Sequence, residues 1–222
     1  MKTINLLSLF LLLIALSDCS KSKDTVTPVP PMATVIIASY PLLSDNVDVT
    51  GKNVGMKLQN APFRNGGIYC NGKYEYGADS ACIARTPSIV KFNNNSFAVT
   101  VDFQVSAFVD QPVFVIGSGC RWLGFYLQGG GSVALLYNNA NYIQGAQPYS
   151  LNEWHNAKIS YDGTTARMFL DDVYACSIKF GGGYVPLDNI SCGPLDNEIG
   201  VTNYSNGQVF EGYIKNLKVY GP

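Results

Sequence analysis

Charge is scarce in this chain. Only 14% of its 222 residues are Asp, Glu, Lys or Arg, the net charge is −1, and there is a single histidine. With no basic patch there is no electrostatic footprint for nucleic acid. One histidine, with no cysteine spacing of the zinc-ligand kind, argues against a zinc site. No stretch carries a helical repeat beyond one turn. The apolar run from Leu6 to Leu16 is too short to span a bilayer comfortably. Glycine (22) and tyrosine (14) are plentiful, as suits strands and turns. A length near 200 fits one β-sandwich or two small domains.

Alternation with a period of two runs through the chain. From Glu153 to Ile178, His155, Ala157, Ile159 and Tyr161 alternate with Asn156, Lys158 and Ser160, the repeat of a strand with one buried face. Asp162-Gly163 turns the chain, because Gly tolerates positive φ. Ala166, Met168 and Leu170 alternate next, Asp171-Asp172 turns again, and Val173 to Ile178 runs back. The pattern predicts an antiparallel meander, with Trp154 in the core. Residues 96–105 are the cleanest strand, with Phe97, Val99, Val101, Phe103 and Val105 on one face. Asn138 to Tyr149 reads as a strand edge and polar loop. In the last strand Phe210, Gly212 and Ile214 share one parity, but Leu217 and Val219 share the other. A phase slip near Lys215-Asn216 predicts a β-bulge.

The N-terminus has its own pattern. Lys2 precedes the Leu6–Leu16 run, and Leu16-Ser17-Asp18-Cys19 follows. This resembles a bacterial lipoprotein signal. It implies removal of residues 1–18, acylation of Cys19, and a lipid anchor as the sole membrane contact. Ser20 after the Cys, rather than Asp, argues against inner-membrane retention. The expected address is therefore the outer membrane, facing the cell surface. Residues 19–34, polar and Pro-rich, read as a flexible tether. Residues 35–222 form the expected folded domain.

Trp154, Tyr161-Asp162-Gly163 and Phe169-Leu170-Asp171 resemble the central signature of laminin-G-like domains of the concanavalin A-like lectin/glucanase superfamily. Asp172 stands where that family usually has Gly. Tyr40-Pro41-Leu42 with Asp48 to Asn53, Gly67 to Gly72, Ser96 to Val105, and Phe210 to Tyr220 resemble further pieces in the same order. The resemblance implies an all-β, two-sheet antiparallel jelly-roll sandwich. It leaves the function open, since this fold hosts lectins, glycanases and protein-binding modules.

Five cysteines remain once Cys19 is assigned to lipid. Cys70 and Cys82 flank a Tyr-rich insertion, and Cys176 and Cys192 flank a Gly-rich loop, so each pair is a plausible clip in an exported protein. Cys120 would be left over, and spacing does not settle connectivity.

A glycosidase needs two carboxylates across a cleft. The nearest approach is Asp196-Asn197-Glu198, which lacks the third acid of the superfamily's Glu-x-Asp-x-Glu strand. His155 beside Trp154 has no Ser, Cys and acid arrangement with it in sequence, so a structural role is expected. The resemblance implies a structural calcium on a rim loop, with Asp45, Asp48 and Asp188 as weak candidate ligands; solvated turn acids are the plainer expectation. For sugar binding, aromatic rings stack on pyranose faces while amides and Arg bond the hydroxyls. Arg121, Trp122, Tyr126, Asn139 and Tyr142 supply both kinds in one region. The expected function is a non-catalytic glycan-binding surface protein. A protein-binding adhesion module is the alternative, and a glycoside hydrolase is third.

Overall fold

The computed structural model describes residues 35–72, 83–86, 96–118, 121–137, 141–180, 198–200 and 209–221. Among these every regular element is a strand, arranged as two antiparallel sheets. The first sheet follows the order β13 (Val173–Lys179), β12 (Thr165–Leu170), β11 (His155–Tyr161), β6 (Phe97–Val105), β15 (Glu211–Gly221), β4 (Gly67–Asn71) and β3 (Phe63–Arg64). β1 (Val35–Tyr40) pairs with the far half of β15. The second sheet follows β10 (Asn141–Pro148), β9 (Ser132–Tyr137), β8 (Arg121–Leu127), β7 (Gln111–Ser118), β14 (Glu198–Ile199), β5 (Ile83–Arg85) and β2 (Lys57–Gln59).

Parity along each strand decides which side chains meet between the sheets. On β6 the apolar set Phe97, Val99, Val101, Phe103 and Val105 is buried, as its alternation predicts. Phe103 of the first sheet meets Phe125 of the second, with ring centroids 6.0 Å apart, and Phe125 in turn meets Phe114 at 6.0 Å. Each large side chain so buried contributes about 1.5–3 kcal/mol before conformational entropy is charged.

The expected meander is β11–β12–β13. Its first turn has Gly163 at φ 94°, and its second places both Asp171 (φ 51°) and Asp172 (φ 61°) in the left-handed region. Two such central residues are what a two-residue hairpin turn of type I′ requires. The expected bulge is also present. The β15–β6 register slips between Lys215 and Lys218, and Asn216 sits at φ 53°. Asn216 Nδ2 donates to Asp102 Oδ2 at 2.7 Å, and its N–H donates to Pro41 O at 2.9 Å. The slip lets Ile214, Leu217 and Val219 all face the core.

Two expectations need correction. Trp154 is half-buried and lies outside the core, because its parity is opposite to that of buried His155. Cys176 is a buried free thiol, so the clip to Cys192 is not formed. It faces the core and donates weakly to Ile143 O, and burial pushes its pKa up to about 11. Of the stretch expected as strand edge and polar loop, residues 141–148 are the edge strand of the second sheet. Cys70 is disulfide-bonded; Cys82, Cys120 and Cys192 lie outside the described residues.

Candidate functional site

The second sheet has an outward face with its own chemistry. On β8, Leu123, Phe125 and Leu127 enter the core, while Gly124 and Tyr126 take the other side. On β9, Val133 and Leu135 enter the core, and Ala134 and Leu136 face outward. Pairing sets these outward residues in rows. Val115 of β7 pairs with Gly124, Gly124 with Leu136, and Leu136 with Tyr142 of β10. In the next row Tyr126 pairs with Ala134, and Ala134 with Gln144.

The result is an apolar floor that is itself buried (Val115 2%, Tyr126 9%, Ala134 0% and Leu136 6% exposed), and among the described residues exposed polar and aromatic groups stand only at its β10 edge. Val115, Tyr126, Ala134 and Leu136 form a second apolar cluster, separate from the main core. Gly124 keeps the floor low, because a Cβ there would stand 3.3 Å from Val115 Cγ2. Tyr142 at the edge is 58% exposed, so its ring is available to a ligand. A line of amides and a hydroxyl runs beside it: Gln144 Nε2 donates to Ser132 Oγ at 3.4 Å, and Ser132 Oγ donates to Gln128 Oε1 at 2.8 Å. A ring beside rotatable amide groups can stack on a sugar face and bond its hydroxyls.

Of the residues singled out for sugar binding, Tyr126 and Tyr142 share this face, on β8 and β10 with β9 between them. Arg121 and Trp122 pair with Ser118 and Gly117 at the start of β8. Asn139 lies outside the described residues. Gln144 lies two residues after Tyr142 in the same edge strand. The contributions of Ser132 and Gln128 were not legible in the sequence, since they depend on pairing across strands.

His155 has partners that spacing did not reveal. Its Nδ1 lies 2.7 Å from Asp171 Oδ2 and its Nε2 lies 2.9 Å from Ser150 Oγ. The expectation that no Ser and acid accompany it is overturned. The group is nevertheless wired as a structural latch. Nε2 accepts the Ser150 backbone N–H at 3.1 Å, while Ser150 Oγ donates to Glu153 Oε2 at 2.6 Å. The hydroxyl proton is thus committed to Glu153, and the base's lone pair to a main-chain donor. The ring is 8% exposed and packs on Phe103 at 5.5 Å.

The calcium expectation fails for Asp48. Its two oxygens accept from Ser39 N, Thr50 N, Thr50 Oγ1, Asn53 N and Asn53 Nδ2 at 2.6–3.0 Å. A cation would meet donors where it needs oxygen ligands. Burial would raise this carboxyl, but those hydrogen bonds outweigh it and hold the pKa at about 2. Asp45 Oδ1 accepts the Val47 N–H in a local turn. Among the described residues no group of three His, Cys, Asp or Glu side chains could hold a metal ion. Asp188 lies outside them.

Two antiparallel sheets packed face to face define an all-β sandwich. The chain belongs to the concanavalin A-like lectin/glucanases superfamily, whose laminin G family it matches over residues 77–221. No curated protein matches its sequence. Solved structures share the fold at low identity. Domain 4 of AbnA, a GH43 extracellular arabinanase from Geobacillus stearothermophilus in complex with arabinotriose, is 16% identical, with a TM-score of 0.62 over 84% of this chain and 92% of that one. Trypanosoma rangeli sialidase is 12% identical with a TM-score of 0.61, over 83% of this chain but only 30% of the sialidase. The CBM40 of Ruminococcus gnavus IT-sialidase, bound to α2,3-sialyllactose, is 14% identical with a TM-score of 0.52, over 69% of this chain and 88% of that one.

Proposed function

We propose that this protein is a non-catalytic surface module that binds carbohydrate at the exposed β10 edge of its second sheet. The observation that carries this is Tyr142, exposed at the edge of the floor formed by Leu136, Gly124 and Ala134, with Gln144 beside it. Fold neighbours that bind arabinotriose and sialyllactose support the ligand class. A lipidated Cys19, followed by the 19–34 tether, would hold the domain off an outer membrane. Each buried methylene of the acyl chains would contribute about 0.8 kcal/mol.

A protein partner is the second reading. Val173 (51% exposed) and Tyr174 (49%) add apolar surface on β13, and Gln147 Nε2 donates to Tyr174 O, which ties that strand to β10. A glycan array on the full chain separates the two. Selective signal that falls in Tyr142→Ala supports sugar binding, and silence across the array opposes it.

A further inference from the structure

The outward face of the first sheet carries a second group of rings. Asp102 and Gln104 of β6 point away from the core that Val101, Phe103 and Val105 enter. Gln104 pairs with Tyr213 of β15, and Tyr213 pairs with Tyr69 of β4, so these two rings are neighbours with centroids 5.1 Å apart. Trp154 lies across the same face. Its indole reaches Gly67 of β4, where a Cβ would stand 3.4 Å from Cη2. All three rings are half-buried, so each keeps an edge or face toward solvent.

Two cations are seated on these rings. Lys215 Nζ lies 3.7 Å from the Trp154 centroid, and the guanidinium carbon of Arg64 lies 5.4 Å from the Tyr69 centroid. Arg64 pairs with Gly67, so it borders the point the indole reaches. Among the described residues, ion pairs join Lys158 to Asp172 and Arg167 to Asp162, and no described carboxylate pairs with Lys215 or Arg64. Asp102, opposite Lys215 in register, is turned to amides, accepting from Asn156 Nδ2 and Asn216 Nδ2 at 2.7 Å each. Glu211 folds its carboxylate over Gly72. Asn65, whose Nδ2 donates to Tyr213 OH at 2.9 Å, adds an amide at the rim.

We propose that this face is a second binding surface, for an acidic sugar chain of the uronic acid class. The Tyr213 ring and the solvent-facing edges of Trp154 and Tyr69 contact the apolar faces of pyranoses, and the two cations, which have no carboxylate partner among the described residues, take the carboxylates. Holding each cation against a ring reduces the side-chain freedom lost on binding. Rings beside the cations favour a sugar chain over a polyphosphate, which offers no apolar face for them to contact.

The test is calorimetric titration of the full chain with tetragalacturonic acid, with arabinotriose in parallel to report separately on the second-sheet face. Tetragalacturonic acid binds, and 0.5 M salt weakens it by screening. Lys215→Met weakens it about tenfold, which is about 1.4 kcal/mol, and Lys215→Arg restores it. Lys179→Met, at an exposed cation on β13, leaves it unchanged. Thermal melts confirm that the variants are folded. Lack of saturation with tetragalacturonic acid would overturn the proposal. So would equal weakening by Lys179→Met, or equal affinity for an oligothymidylate or for phosphatidylglycerol vesicles.

Discussion

The imidazole Nδ1 of His155 and the carboxylate Oδ2 of Asp171 stand 2.7 Å apart across sixteen residues of chain. Asp171 Oδ1 also accepts the Asn156 N–H, and the Asp171 N–H donates to Asn156 O. A hairpin turn is thereby fastened to the start of a strand two elements earlier. The bond also fixes the ring's tautomer, with the proton on Nδ1, so that Nε2 can accept from Ser150 N.

Asp171→Asn tests the latch with the turn preserved, because Asn also tolerates positive φ. An amide that keeps its oxygen on Asn156 N presents hydrogens to Nδ1. The ring must then place its proton on Nε2, facing the Ser150 N–H. Urea unfolding should show a loss of about 1–3 kcal/mol. An unchanged midpoint would mean the latch carries no weight.

The adjacent position works in the opposite direction. Asp172 has φ 61° and an exposed ion pair with Lys158 at 3.7 Å. Such a pair is worth little, while a non-glycine residue in the left-handed region is strained. Asp172→Gly should stabilise the fold by about 0.5–1 kcal/mol. A drop in melting temperature would contradict this.

Acid should unfold the protein through two carboxylates. For Asp48 and Asp162 burial raises the pKa, but hydrogen bonds outweigh it; those to Asp162 come from Arg167, Thr165 and Thr164. Both are held at about 2, below their ordinary value of 3.8. A depressed folded-state value stabilises the fold at pH above 3.8, and that contribution is lost as pH falls toward 2. Asp48→Asn should lower stability at pH 7 and flatten its decline between about pH 4 and 2. A parallel decline in wild type and variant would argue against the assignment.

How far the sequence could be read depended on whether a feature is local. The alternation along β6 is a property of consecutive residues, and its buried set is as expected. The parity slip between Ile214 and Leu217 was equally visible, and it marks the bulge. Trp154 was misplaced because a large ring suggests burial, while its parity opposite His155 sends it outward under Lys215. Asp48 looked like a cation ligand because its donors, from Ser39 to Asn53, converge only through loop folding. The candidate sugar face was half legible. Tyr126 and Tyr142 stood out by type, but the floor between them, Gly124, Ala134 and Leu136, exists only once strands pair.

The most direct test of carbohydrate binding on the second sheet is calorimetric titration of wild type and Tyr142→Ala with the strongest ligand from a glycan array. Removing the ring should weaken binding by up to about tenfold, the worth of one aromatic contact, with the melting temperature unchanged. Equal affinity in the two proteins, or no glycan bound by wild type, would contradict the account.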